Sequence, residues 1–133
     1  MNAPLQVIRV EHPVDKKGVW RSATLRTNNT RIDKHSQYSE IVARHNNESL
    51  FPTYHGDDQL KSQIDYDTLQ NYKFAFKSIE QLNTAFTADE LKEIIIKLKF
   101  KVYLFTVTDY FQSDYQVVFS GYESKEDISS LFI

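Results

Sequence analysis

The sequence predicts an α+β fold, a mixed, largely antiparallel sheet with three helices of the C-terminal half packed on it. Three observations support this prediction: β-branched and alternating runs, repeated helix-capping patterns, and a connection too short for a parallel crossover. The predicted sheet includes residues 5–11, 71–76, 101–108 and 115–120, and the predicted helices span 78–86, 88–98 and 124–131.

Each strand has its own pattern. Leu5–Glu11 is rich in β-branched residues and is flanked by prolines, and Asn71–Phe76 alternates between polar and apolar residues. Lys101–Thr108 is apolar on both faces, which predicts a central strand. Tyr115–Ser120 follows after a short polar and aromatic connection, which favours antiparallel pairing, and Gly121 is expected to end it.

The helices are predicted from their first residues. Ser78 with Gln81, and Thr87 with Glu90, have the spacing of a capping box, in which two side chains satisfy free backbone N–H groups. Apolar residues follow at helical spacing. Ser124 is expected to cap a last helix that carries Ile128, Leu131 and Phe132.

The region between the first strand and residue 58 has a weaker pattern. Val19–Leu25 is either a second strand or an ordered loop, and Ser36–Arg44 has the spacing of a short helix. The aromatic residues of Ser49–Asp58 favour order. A long irregular segment of this kind is usually functional, so we expect it to contribute to a binding surface.

Length and composition limit the class of protein. A chain of 133 residues with 41% hydrophobic residues predicts a single domain, residues 1–133, with a core of its own. Cysteine is absent, which excludes disulfides and thiolate metal sites within these residues. The first residues lack the pattern of a secretory leader, and no run is long enough for a membrane span. We therefore expect a soluble, cytoplasmic protein.

The charges are unevenly distributed. Residues 1–50 carry eight Lys and Arg against five Asp and Glu, whereas residues 51–133 carry eight against thirteen. This asymmetry can steer a charged partner. It is far from the dense basic stripe of a nucleic-acid-binding protein, so nucleic acid is an unlikely partner.

Common catalytic patterns are missing. The four histidines are widely separated, and none of them pairs at metal-ligand spacing, so no metal site is predicted. The three glycines form neither a nucleophile elbow nor a phosphate-binding loop. The sequence leaves open both an enzyme and a binding protein.

The run Phe74–Leu82, followed by Phe100–Val107, Asp114–Phe119 and a closing helix, resembles small ADP-ribosyltransferase-like domains. The opening Val7–Pro13, with Gly18–Arg21, is similar to short proteins of phages and mobile elements. The resemblance implies an accessory protein of a phage or mobile element, with NAD as its cofactor.

The resemblance also implies roles for individual residues. Arg9 would hold the pyrophosphate or ribose of NAD, and Tyr72 or Phe76 would stack on nicotinamide in a strand that ends at Ser78. Gln116 stands where these enzymes have a catalytic carboxylate. An amide stabilises a developing cation much less than a carboxylate does, which implies slow or altered chemistry, or binding alone.

Each of these residues also has a structural interpretation. Ser78 is expected as a helix N-cap, and Gln116 as a side chain that points to solvent. Arg9 is expected either as a surface residue of an edge strand or as a partner in the neighbourhood of Glu11.

The competing hypothesis is a non-catalytic module that inhibits or modulates a host protein by occupying its surface. Aromatic residues and arginine dominate the energetics of such interfaces. The candidate partner-binding residues are Trp20, Arg21, Phe51, Tyr54, Tyr110 and Phe111.

Overall fold

The computed structural model describes residues 3–14, 57–97 and 99–133. Four strands form one antiparallel sheet in the order β1-β3-β4-β2. The elements, in chain order, are β1 (Leu5–Glu11), α1 (Asp58–Lys61), α2 (Tyr66–Leu69), β2 (Lys73–Ala75), α3 (Ile79–Ala85), α4 (Ala88–Ile96), β3 (Lys101–Gln112), β4 (Val117–Asp127) and a 3-10 helix (Ser129–Phe132).

The sheet is curled, because its two outer strands approach each other. Ile8 of β1 and Phe76, the residue after β2, form an antiparallel bridge with backbone hydrogen bonds of 2.9 and 2.7 Å. β3 lies between β1 and β4, which confirms the prediction of a central strand. All the strand pairs described are antiparallel, so the expected mixed character is not found among them.

Three apolar clusters fill the space around the sheet. The largest lies beneath α3 and α4 and combines their buried side chains with Ile8, Val10 and Val102. A second cluster is formed by strand residues alone, with Phe105 and Phe119 at ring contact, 4.9 Å between centroids. The third packs α1 and α2 against β4. Helices therefore cover the sheet at two separate places.

The prediction of a helix over 124–131 is wrong. β4 continues through Gly121 to Asp127, and only the short 3-10 helix follows it. Lys125 pairs with Phe105 across the ladder and reaches the buried Glu11, so tertiary contacts outweigh the local capping pattern. Gly121 does not end the strand. It lies opposite Asp109, where an added Cβ would meet the Asp109 Cβ at 3.2 Å.

Two short helices were missing from the sequence prediction. α1 and α2 are each four residues long, too short for a periodic apolar pattern. Their only local signal is the N-cap, since Asp57 accepts from the Leu60 N–H and Asp65 from the Thr68 N–H.

The other predicted elements have the expected type. α3 and α4 begin at the predicted caps Ser78 and Thr87, and β3 and β4 are longer than predicted. Val19–Leu25 and Ser36–Arg44 lie outside the described residues. No helix in the described ranges is long and apolar enough to cross a membrane.

The capping box of α4 gives a test of the fold. Thr87 accepts from the Glu90 N–H at 3.1 Å, and Glu90 accepts from the Thr87 N–H at 2.8 Å. We expect Thr87→Ala to lower the free energy of unfolding by about 1 kcal/mol, measured by urea titration. Thr84→Ala, inside α3, is the matched control and should change stability by less than about 0.5 kcal/mol. Equal losses for the two variants would contradict the capping role.

Candidate functional site

Arg9 lies in a buried ionic cluster centred on Glu11. The Glu11 side chain is fully buried, and its carboxylate accepts from Arg9 Nε at 2.8 Å and from Lys125 Nζ at 2.6 Å. Lys73 Nζ lies 3.8 Å away. Arg9 also donates from Nη1 to the Phe74 carbonyl at 2.7 Å. The cluster therefore ties β1 to β2 and β4.

Two aromatic side chains of β3 belong to the same cluster. Lys125 Nζ lies 4.3 Å from the ring centroid of Tyr103 and 5.4 Å from that of Phe105. Both distances are within the range of a cation–π contact. Residues from all four strands thus meet around a single carboxylate.

The charges around Glu11 determine its protonation. Burial alone would raise the pKa of Glu11, but the hydrogen bond from Lys125 and the charges of Arg9 and Lys73 outweigh it, and the pKa is lowered. Burial lowers the pKa of Arg9, and the neighbouring carboxylate opposes that shift. The cluster therefore holds a charged glutamate, with two donors of Arg9 directed at protein acceptors.

Gln116 belongs to a different group, at the turn between β3 and β4. Its Nε2 donates to Asp57 Oδ2 at 2.9 Å, and the buried Ser113 hydroxyl donates to the same oxygen at 2.6 Å. The other oxygen of Asp57 caps α1 by accepting from the Leu60 N–H. The hydrogen bonds described thus place Gln116 and Arg9 in separate groups, and their catalytic roles stay a prediction.

Glutamine side chains hold the rest of this turn. Gln59 of α1 donates to the Asp114 carboxylate, and Gln63, two residues after α1, donates to the Gln112 carbonyl. Gln81 of α3 donates to the Tyr115 carbonyl. Lys77 Nζ donates to the Ser113 carbonyl at 2.9 Å. These contacts fix the hairpin turn between two helices.

The residues predicted to bind the cofactor, Tyr72, Phe76 and Ser78, make contacts within the protein. Phe76 is 7% exposed and packs edge to face on Phe86 in the core. Ser78 caps α3, which agrees with its structural interpretation. Tyr72 donates to Asp109 at 3.0 Å, and partial burial together with that carboxylate raises the pKa of Tyr72. Cofactor binding by these three residues stays a prediction.

The predicted partner-binding residues fall into two sets. Tyr110 is 9% exposed and donates its hydroxyl to the Ala3 carbonyl at 2.7 Å, and Phe111 packs against the cluster beneath α1 and α2. Both side chains therefore pack against apolar clusters of the core, and their role in partner binding stays a prediction. Trp20, Arg21, Phe51 and Tyr54 lie outside the described residues.

The sequence prediction missed an exposed apolar surface. An open groove of about 460 Å³ lies between α3, α4 and the last residues. Three large apolar side chains remain exposed there: Ile79 at 40%, Leu131 at 68% and Ile133 at 61%. We call this surface the apolar groove; it is lined by Ile79, Asn83, Ala88, Leu91, Leu131, Phe132 and Ile133.

Glu11→Gln tests the ionic cluster. The change removes the charge that faces buried Arg9, so we expect a loss of about 3–5 kcal/mol in the free energy of unfolding at pH 7. Because folding lowers the pKa of Glu11, its contribution is present above the ordinary glutamate pKa and is lost as pH falls through the lowered value.

The measurement is urea unfolding of both proteins from pH 7 to pH 2. The difference in free energy of unfolding between wild type and Glu11→Gln should become smaller toward acid pH. Glu126→Gln, at an exposed position, is the control and should match wild type. A difference that stays constant across the pH range would show that the charge of Glu11 is not the cause.

Comparison with known proteins identifies the family. A search of curated proteins and of solved structures gave no match to the chain. A family model described as "Bacteriophage T4 Y00F protein" matches residues 1–130. This match confirms the similarity to phage proteins and gives no support to the resemblance with ADP-ribosyltransferase-like domains. Because the model covers nearly the whole sequence, the chain belongs to the Bacteriophage T4 Y00F protein family.

Proposed function

We propose that this phage protein is a non-catalytic accessory module that binds a host protein through the apolar groove. The observation that carries the proposal is the convergence of Ile79, Leu131 and Ile133, all substantially exposed, on one surface. Scattered apolar side chains are normal on a protein surface, whereas a contiguous group bordered by polar residues is typical of an interaction site.

The charges near the apolar groove favour a basic host surface. α3 and α4 carry four carboxylates and one lysine. Glu80 and Asp89 are exposed, and within the described ranges neither carboxylate makes an ion pair. Residues 51–133 carry thirteen acidic against eight basic residues. The host segment that binds the apolar groove therefore has apolar side chains flanked by basic residues. Complementary charges speed association and favour the correct partner.

A matched pair of variants tests this function. Ile79 and Ile96 are exposed to 40% and 45%, and only Ile79 lines the apolar groove. We expect Ile79→Ser to weaken binding of the host protein at least about tenfold, because it removes an apolar anchor, whereas Ile96→Ser should bind like wild type.

The measurement begins with capture from a lysate of host cells by wild type and both variants, followed by titration calorimetry with the purified partner. Support requires one stoichiometric partner that wild type and Ile96→Ser retain and Ile79→Ser loses. If no host protein is captured, or if Ile79→Ser binds like wild type, the proposal is rejected.

The NAD-binding function that the resemblance implies predicts that NAD stabilises the protein. A ligand at one hundred times its Kd stabilises a protein by about 2.7 kcal/mol. Because the contacts of Arg9, Phe76 and Gln116 are structural, we expect millimolar NAD to leave the melting temperature unchanged. A clear upward shift, lost in Tyr72→Ala, which removes the ring that would stack on nicotinamide, would favour the NAD-binding function instead.

A further inference from the structure

The outer edge of β4 is open over most of its length. β2 pairs with β4 only at Val117–Phe119, whereas β4 continues to Asp127 beside β3. Within the described ranges no strand lies on the other side of Ser120–Asp127. We call Ser120–Asp127 the open edge.

The backbone of the open edge is accessible. Six of its eight residues are exposed, and Gly121 and Lys125 are half-buried. In an antiparallel ladder the hydrogen-bonding groups of successive residues point alternately to the two sides. Those directed away from β3 have no backbone partner within the described ranges, and such groups form a template on which another strand can pair.

The charge of the open edge identifies the strand that fits. Lys125 is paired with Glu11, and Asp127 is paired with Lys101 at 3.1 Å. Glu123 and Glu126 are exposed and make no ion pair in the part of the chain that the structure describes. The charge left uncompensated on this edge is therefore negative.

The same charges exclude a second copy of the chain. Two open edges paired with each other would bring Glu123 and Glu126 of both copies together, and like charges opposed across a ladder are destabilising. The register is interrupted at Ser120 and Glu123, which have no directly opposed residue on β3, and is regular over Ser124–Asp127. An incoming strand would thus pair chiefly with that regular stretch.

We propose that the open edge binds an extended, basic segment of a host protein, which adds to the sheet as a strand in line with β2. Backbone hydrogen bonds would supply affinity, and lysine or arginine side chains opposite Glu123 and Glu126 would supply selectivity. This surface is separate from the apolar groove and does not depend on it.

The test uses a capped eight-residue peptide of alternating lysine and valine, titrated into the full chain and followed by NMR. Bound peptide should slow amide hydrogen exchange at alternate residues of the open edge, chiefly within Ser124–Asp127. The double variant Glu123→Lys with Glu126→Lys should weaken binding at least about tenfold, and Ile79→Ser should bind the peptide like wild type.

Two control peptides separate the contributions. The same peptide with alternate amides N-methylated lacks the donors for a ladder, and a peptide with glutamate in place of lysine has the wrong charge. Both should fail to slow exchange at the open edge. The proposal is overturned if the N-methylated peptide binds equally well, or if the basic peptide leaves exchange at the open edge unchanged. The proposal is also overturned if Ile79→Ser abolishes peptide binding while the double variant still binds the peptide. That result would place the peptide on the apolar groove and would leave the proposed function of the groove intact.

Discussion

The curled sheet depends on the buried carboxylate of Glu11. Withdrawing a charged group from water is costly, and the cost is offset by the close cations Arg9 and Lys125 and by the more distant Lys73. These cations come from β1, β2 and β4, and two aromatic rings of β3 lie beneath Lys125. A buried ionic group of this kind adds little to the net free energy of folding, whereas removal of one partner is strongly destabilising because it leaves a buried charge unpaired.

A second polar group fixes the other end of the hairpin. Asp57 joins the start of α1 to the turn through Ser113 and Gln116. Gln63, just after α1, and Gln81 of α3 complete the attachment. Most of these donors are neutral amides and hydroxyls. The turn is therefore held largely by directional hydrogen bonds, whereas the Glu11 cluster is held by charge.

Local patterns in the sequence predicted much of the fold. β1 has the predicted bounds, the capping residues of α3 and α4 are correct, and β3 is central as its two apolar faces indicated. The helix predicted over 124–131 failed because the same residues satisfy both a capping pattern and a strand. The choice between them depends on Phe105 and Glu11, which lie far away in the sequence.

The candidate surfaces were harder to predict, for a related reason. Arg9 bonds a carbonyl 65 residues away and Gln116 a carboxylate 59 residues away, and no spacing rule connects such pairs. The sequence prediction placed Leu131 on a last helix with Ile128, whereas the structure has a short 3-10 helix there that leaves Leu131 exposed. The open edge of β4 depends on how short β2 is, a property that only the assembled sheet reveals.

The position of β1 in the sheet has a consequence for folding. β3 and β4 are joined by a four-residue turn, so their pairing closes a small loop, whereas the pairing of Glu11 with Lys101 closes a loop that contains residues 12–100. The entropic cost of closure grows with loop length, and distant pairings form slowly. Pairing of β3 with β4 is therefore favoured entropically over pairing of β1, which depends on contacts distant in the sequence. Because β1 carries Arg9 and Glu11, the chain must close this long loop before the buried ionic cluster is complete.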